Sequence, residues 1–158
     1  MGERRQLYVS PGAPGKRGFE DLDCYKLALE VMVDVHAIAR NFPPEEKYEL
    51  TSQIRRSSKS VTANIAEGYR RYHYLDSLRC YAIARGELNE TLAHLINARA
   101  LGYVDRENFE PLYKLIREAE QALNGFMSYI RHQRAGSQEF GDKAMHEEPA
   151  DYVFEQPE

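Results

Sequence analysis

The sequence has few of the residues and patterns that catalysis and metal binding require. It contains only two cysteines, Cys24 and Cys80, and no CxxC pair. Its five histidines are never three or four residues apart, so no helix could present a histidine pair to a metal ion. Glycine-rich phosphate loops and the Gly-x-Ser-x-Gly pattern of hydrolases are also missing. We therefore predict a non-enzymatic protein that binds no metal and no other cofactor.

Long apolar segments are missing as well. No run approaches the roughly 18 residues that a membrane-spanning helix needs. Arg4 and Arg5 are followed by no hydrophobic segment, which argues against a signal peptide. Two cysteines are too few for a disulfide framework and suit buried free thiols in a reducing compartment. These features predict a cytoplasmic protein that does not enter a membrane.

The composition is that of one folded domain. The 158 residues are 42% hydrophobic and 29% charged, which is typical of a globular chain with a single core. Residues 1–18 are rich in glycine and proline and lack periodicity, so we predict a flexible arm. Residues 135–158 are acidic and also lack periodicity, so we predict a disordered tail. The folded domain should extend over residues 19–134.

Four stretches within this domain repeat their apolar residues at helical spacing. The patterns predict helices over about residues 21–41, 45–70, 75–101 and 106–134. Pro43 and Pro44 separate the first helix from the second, Gly102 ends the third, and Asp105 caps the fourth. Because the loops are short and no strand pattern occurs, we predict an all-α, antiparallel, up-and-down four-helix bundle.

Charge is distributed unevenly along the chain, although the formal total is only −4. Residues 20–50 hold eight acidic and three basic side chains, a net charge of −5. Residues 55–85 hold seven basic and two acidic side chains, a net charge of +5. Residues 135–158 hold seven acidic and one basic side chain, a net charge of −6. The near-neutral total therefore hides a strongly polarised chain.

The second predicted helix combines a core face with a basic face. Its core face consists of Leu50, Ile54, Val61 and Ile65. Basic side chains collect on the opposite side and continue beyond the helix; they are Arg55, Arg56, Lys59, Arg70, Arg71 and Arg79. These cations could hold phosphates, while Tyr69, Tyr72 and Tyr74 could stack on unpaired bases, and we include Tyr72 in the candidate site. The alternative is a solvated helix face without a ligand.

Arg85 falls within the apolar pattern of the third helix, between Tyr81 and Leu88. A buried guanidinium without a partner is costly, so we predict a buried polar pair between Arg85 and Glu67. Glu120 is the second candidate partner. The alternative is that Arg85 reaches the solvent at an end of the bundle.

Several short motifs follow one another in a recognisable order over residues 19–130. They are FEDL at 19–22, FP at 42–43, EKY at 46–48, LTSQIRR at 50–56, NIAEG at 64–68, ARGxL at 84–88 and LGY at 101–103. On these motifs the chain resembles the bacterial four-helix-bundle proteins named for intervening sequences of 23S ribosomal RNA. The resemblance implies a ring-like homopentamer without established enzymatic activity. It also implies a fold similar to the reverse-transcriptase accessory proteins of diversity-generating retroelements, which bind nucleic acid and the polymerase.

Three functions fit these observations. The favoured one is an oligomeric nucleic-acid-binding or accessory protein that uses the basic helix face on RNA or DNA. The second is a structural scaffold, in which the basic helix pairs with the acidic first helix of a neighbouring subunit. The third is a protein adaptor, for example to a reverse transcriptase, that binds protein through the tail or the basic face.

Overall fold

The computed structural model describes Leu7 and residues 18–143. These residues form four long helices, which are α1 (Asp23–Ile38), α2 (Leu50–Arg70), α3 (Tyr74–Ala100) and α4 (Arg106–Gln133). A single further turn, α5 (Ser137–Phe140), follows α4. Both α1 and α3 pack between α2 and α4, and no strand occurs in the described part of the chain. The prediction of an up-and-down four-helix bundle is confirmed.

The connection between α1 and α2 is longer than the sequence predicts. Two 3₁₀ helices, Ala39–Asn41 and Pro44–Tyr48, lie on either side of Phe42–Pro43. The predicted start of the second helix was therefore about five residues early. The carboxylate of Glu46 accepts a hydrogen bond from the Leu50 backbone N–H at 3.2 Å, which stabilises the true start.

Side chains cap the amino-terminal ends of α3 and α4. The carboxylate of Asp105 accepts a hydrogen bond from the Asn108 backbone N–H at 2.8 Å, as the sequence predicts. At α3 the cap is the imidazole of His73, whose Nδ1 accepts from the Leu75 N–H at 3.3 Å. Sequence reasoning missed this second cap because histidine is not among the preferred capping residues.

Small residues allow α2 and α3 to approach closely within the core. Ser57 is fully buried, and its hydroxyl hydrogen-bonds that of Thr91 at 2.8 Å. Nearer the end of α2, a Cβ atom added to Gly68 would lie 2.7 Å from the Tyr81 ring. Glycine is therefore what lets this ring pack directly against the α2 backbone.

Both cysteines are buried and unbonded to each other, as the sequence predicts. Burial raises the pKa of the Cys24 thiol to about 11, so this group stays protonated at neutral pH. Within the described residues, no group of three or more His, Cys, Asp or Glu side chains could hold a metal ion. In the same part of the chain, no helix combines the length and hydropathy that crossing a bilayer requires.

The predicted end of the folded domain at residue 134 is too early. Arg134 and Gly136 adopt left-handed backbone conformations, with φ of 47° and 80°, and turn the chain back after α4. The Tyr74 backbone N–H then donates to the Ala135 carbonyl at 3.0 Å. Residues 135–143 thereby pack on the link between α2 and α3. The rest of the predicted tail, and the predicted arm apart from Leu7 and Gly18, lie outside the described residues.

Candidate nucleic-acid interface

Helix α2 buries one side in the core and presents the other to the surface. Ile54, Val61 and Ile65 are no more than 1% exposed, which confirms the predicted core face. The predicted cations all reach the surface to some extent. Four of them are exposed and two are half-buried; the exposed ones are Arg56, Lys59, Arg70 and Arg79, and the half-buried ones are Arg55 and Arg71.

The cations of α2 do not form one continuous face. With about 100° of rotation per residue, Arg55, Lys59 and Arg70 fall within an arc of about 60°, whereas Arg56 lies about 100° from Arg55. The arc with Arg55 and Lys59 faces α1. Burial and the charges of these two residues lower the pKa of His36 on that helix. We call Arg55, Lys59 and Arg70 the open stripe.

No carboxylate lies within ion-pair distance of the open stripe among the described residues. Arg55 and Lys59 are separated by about 6 Å along the helix axis, and Lys59 and Arg70 by about 16 Å. Two residues with short side chains, Thr62 and Ala66, lie between Lys59 and Arg70. The Thr62 hydroxyl donates a hydrogen bond to the Lys59 backbone carbonyl at 2.9 Å. Within the described part of the chain, the stripe is thus a row of cations without carboxylate partners.

The other two cations near α2 each have a carboxylate partner. Arg56 contacts Glu90 of α3 at 2.6 Å, and Arg71 contacts Glu67 at 2.9 Å. We call Arg56 and Arg71 the paired cations. Because each is opposed by a neighbouring negative charge, its attraction for an external anion is reduced.

Arg79 belongs to neither group. It lies two residues after the buried Ser77 on α3, which places it about 200° around the helix from that core position. The sequence grouped all six cations into one surface because they are close in sequence. The structure places them in three groups, which are the open stripe, the paired cations and Arg79 alone.

The predicted buried pair between Glu67 and Arg85 is wrong. The side chain of Glu67 is 54% exposed and accepts from Arg71. The guanidinium of Arg85 instead donates to the Asn124 side-chain oxygen on α4 at 3.1 Å. The core position after Tyr81 is filled by Ala84, which is fully buried, so Arg85 falls on the flank of α3 that faces away from α2.

The second candidate partner of Arg85 is also engaged elsewhere. Glu120 contacts Arg117 of its own helix at 2.9 Å. Arg85 is half-buried and lies near the middle of α3, not at an end of the bundle. Because its hydrogen bond to Asn124 is exposed to solvent, the guanidinium needs no buried carboxylate.

The tyrosines of the candidate site are partly covered by residues 135–143. The Tyr72 hydroxyl donates to Glu139 at 2.6 Å, and its ring packs edge-on against Phe140. Tyr74 is buried, and its hydroxyl donates to Asp142 at 3.0 Å. Of the three predicted stacking residues, Tyr74 is therefore enclosed, whereas Tyr69 and Tyr72 remain 37% and 60% exposed.

Sequence reasoning missed this contact because the acidic composition of residues 135–158 favoured disorder. The signal that could have found it is the pair of glycines, Gly136 and Gly141, that brackets a four-residue helical turn. Both adopt positive φ, 80° and 70°, as tight turns require. A further contact joins Arg134 to Asp142 across the same turn.

Comparison with known proteins matches most of the bundle. The model of the family described as "23S rRNA-intervening sequence protein" matches residues 20–125, which is 106 of the 158 residues. The contact between residues 135–143 and the α2–α3 link uses residues beyond this range. No curated protein matches the chain.

One similar solved structure is a protein of unknown function from the S23 ribosomal protein family of Bacteroides thetaiotaomicron VPI-5482. It is 26% identical to this chain, with a TM-score of 0.61, and the alignment covers 66% of this chain and 95% of the other. The predicted family resemblance is confirmed, since the family model alone spans about two thirds of the sequence. The chain belongs to the family of 23S rRNA-intervening sequence proteins.

Proposed function

We propose that this protein is a non-enzymatic, oligomeric nucleic-acid-binding or accessory protein that holds the phosphate backbone of RNA or DNA on the open stripe of α2. The observation that carries the proposal is the contrast between this stripe and its neighbours. Lys59 and Arg70 are exposed and, among the described residues, have no carboxylate within ion-pair distance, whereas Arg56 and Arg71 each have one.

The chemistry of the stripe suits phosphate better than bases. Lysine and arginine neutralise phosphates and release counterions, which supplies affinity without sequence information. The side chains between the cations, Thr62 and Ala66, are too short to reach base edges. We therefore expect little sequence preference and a steep loss of affinity with salt.

The proposal includes self-association. The family resemblance implies a homopentamer, and a ring would repeat the open stripe around its circumference. Binding should then strengthen with the length of the nucleic acid, because one strand could contact several stripes. Light scattering that returned a monomer mass across micromolar concentrations would contradict this part of the proposal.

A second candidate function is a scaffold in which the open stripe binds carboxylates of another subunit. Glu45 and Glu49 favour it, because both are exposed at the amino-terminal end of α2 and, among the described residues, neither has an ion-pair partner. A protein adaptor, for example to a reverse transcriptase, would use the same cations on a different chain. The scaffold requires the open stripe to be covered by protein, whereas the adaptor would bind through this stripe or through the acidic tail.

One double variant separates nucleic-acid binding from the scaffold. Fluorescence anisotropy would measure binding of labelled 30-nucleotide RNA and DNA, and light scattering would measure the mass of the same samples. We expect R55E/K59E to abolish binding while the oligomer mass and the helical circular dichroism stay unchanged. No binding by the parent protein, together with dissociation of the R55E/K59E oligomer, would overturn the proposal in favour of the scaffold.

A further inference from the structure

A cleft opens at the end of the bundle where α2 ends, α3 begins and α4 ends. Its volume is about 310 Å³, at the lower end of the range of small-molecule sites. Six aromatic side chains line it; they are Tyr69, Tyr72, Tyr74, Tyr81, Phe126 and Tyr129. Arg71 and Gln133 are among the few polar residues in its wall.

Packing holds the inner rings of this cleft in place. Tyr81 is 1% exposed and rests against the α2 backbone at Gly68. Its ring meets Phe126 edge-on, with centroids 5.2 Å apart, and Phe126 in turn lies nearly parallel to Tyr129 at 6.2 Å and 17°. A planar ligand would meet a preformed aromatic wall, so little side-chain ordering would oppose its binding.

The outer rings leave one side of the cleft accessible. Tyr129 is 55% exposed and stands at the rim on α4. Tyr72 is turned toward Glu139 by the hydrogen bond between its hydroxyl and that carboxylate. Tyr72 is 60% exposed but is engaged by Glu139 and Phe140, whereas the Tyr129 ring lies parallel to Phe126. Tyr129 is therefore the natural stacking surface.

The cleft also lies beside the end of the open stripe. Arg70, the last residue of α2, does not line the cleft itself. It lines a neighbouring cavity together with Tyr69, and Tyr69 also lines the cleft. A strand whose phosphates follow Arg55, Lys59 and Arg70 would reach Tyr69 at the end of α2 and pass from there onto the aromatic wall.

We propose that this cleft takes an unpaired base of a single-stranded RNA or DNA whose phosphates lie on the open stripe. The inference rests on the proposed function and makes it more specific, because bases within a duplex are stacked on each other and cannot enter the cleft. The protein should therefore prefer single strands over duplexes of equal length.

The test compares single-stranded and duplex probes of 30 nucleotides by fluorescence anisotropy at one salt concentration. We expect Y129A to weaken single-strand binding about tenfold and to leave duplex binding unchanged, while Y129F retains the parent affinity. Tyr48 provides the matched control, since it is 81% exposed at the other end of α2. We expect Y48A to change neither affinity.

A second measurement needs no variant. A strand with one 2-aminopurine among thymidines should lose fluorescence on binding, because the base stacks on an aromatic ring. Equal affinity of Y129A and the parent for the single strand, or unchanged 2-aminopurine emission, would overturn the inference while the dependence on Arg55 and Lys59 still supports phosphate binding. A loss of oligomer mass in Y129A with unchanged strand binding would assign the cleft to a second copy of the chain and also overturn it. If the parent protein bound neither probe, the proposed function itself would fail.

Discussion

Basic residues lie on two sides of α2, and the two sides differ in whether a carboxylate lies next to these residues. Toward α1, the open stripe of Arg55, Lys59 and Arg70 has no carboxylate within ion-pair distance among the described residues. Toward α3, Arg56 is held by Glu90 at 2.6 Å. A count of positive charges in the sequence therefore overstates the surface that is available to an anion.

The difference originates in the helices that flank α2. On α3, Glu90 points toward Arg56. On α1, the residue close to the stripe is His36, and the acidic residues Glu30 and Asp34 lie about 120° and 160° away from it around the helix. The Glu30 and Asp34 carboxylates of α1 thus face away from Arg55 and Lys59 within one subunit.

Charge reversal on the two sides should give the largest contrast. We expect K59E to weaken RNA and DNA binding on the order of tenfold, because one phosphate contact becomes a repulsion. Arg56→Glu should weaken binding much less, since its charge is already opposed by Glu90. Anisotropy titrations of both variants beside the parent check this. Equal losses of affinity in the two variants would contradict the distinction between the open stripe and the paired cations.

Residues 135–158 should have the next largest effect. They carry a net charge of −6, and the Glu139 carboxylate accepts a hydrogen bond from the Tyr72 hydroxyl. A chain that ends at residue 134 should bind single strands about fivefold more tightly at low salt, because a competing polyanion is gone. A chain that ends at residue 143 keeps the Tyr72 contact and should show only part of the gain. Unchanged or weaker binding in both truncations would mean that this segment does not oppose nucleic acid.

The sequence specified the bundle because helical periodicity and loop length depend on local residues. The core face of α2, the Asp105 cap and the four-helix topology were all predicted for that reason. The pairing of Arg56 with Glu90 could not be predicted, because it depends on how α2 and α3 are rotated against each other. Arg85 shows the same limit. The core position of α3 is taken by Ala84, one residue earlier, so Arg85 lies on the flank of the helix.

Removal of a partner carboxylate should convert a paired cation into an open one. In E90Q, Arg56 keeps a hydrogen-bond acceptor nearby but loses the opposing charge. We expect binding to tighten about twofold, in line with the small free energy of exposed ion pairs. The control is E110Q on α4, whose carboxylate contacts Arg106, far from α2 in sequence and on a different helix. Equal changes in E90Q and E110Q would indicate only a general effect of net charge.

The smallest expected effect is a pH dependence of stability at His36. Burial and the charges of Arg55, Lys59 and Arg40 lower its pKa below the usual 6.5. The unfolded chain then binds a proton more readily than the folded one, so stability falls as the pH drops below 6.5 toward the folded pKa. The free energy of unfolding, measured with urea at several pH values, should decline less steeply toward low pH in K59Q, because one of the charges is removed. In R56Q it should decline as steeply as in the parent. Identical pH profiles in the parent and K59Q would contradict this electrostatic coupling.

The salt dependence of binding tests the central claim most directly. Each phosphate contact contributes about 0.7 to the slope of log K against log salt concentration for single strands. Neutralising the open stripe in R55Q/K59Q/R70Q should therefore reduce the slope by about two. Neutralising the paired cations in R56Q/R71Q should leave the slope within about 0.5 of the parent value. Equal reductions in both variants, or an unchanged slope in R55Q/K59Q/R70Q, would contradict the assignment of the open stripe as the phosphate-binding surface.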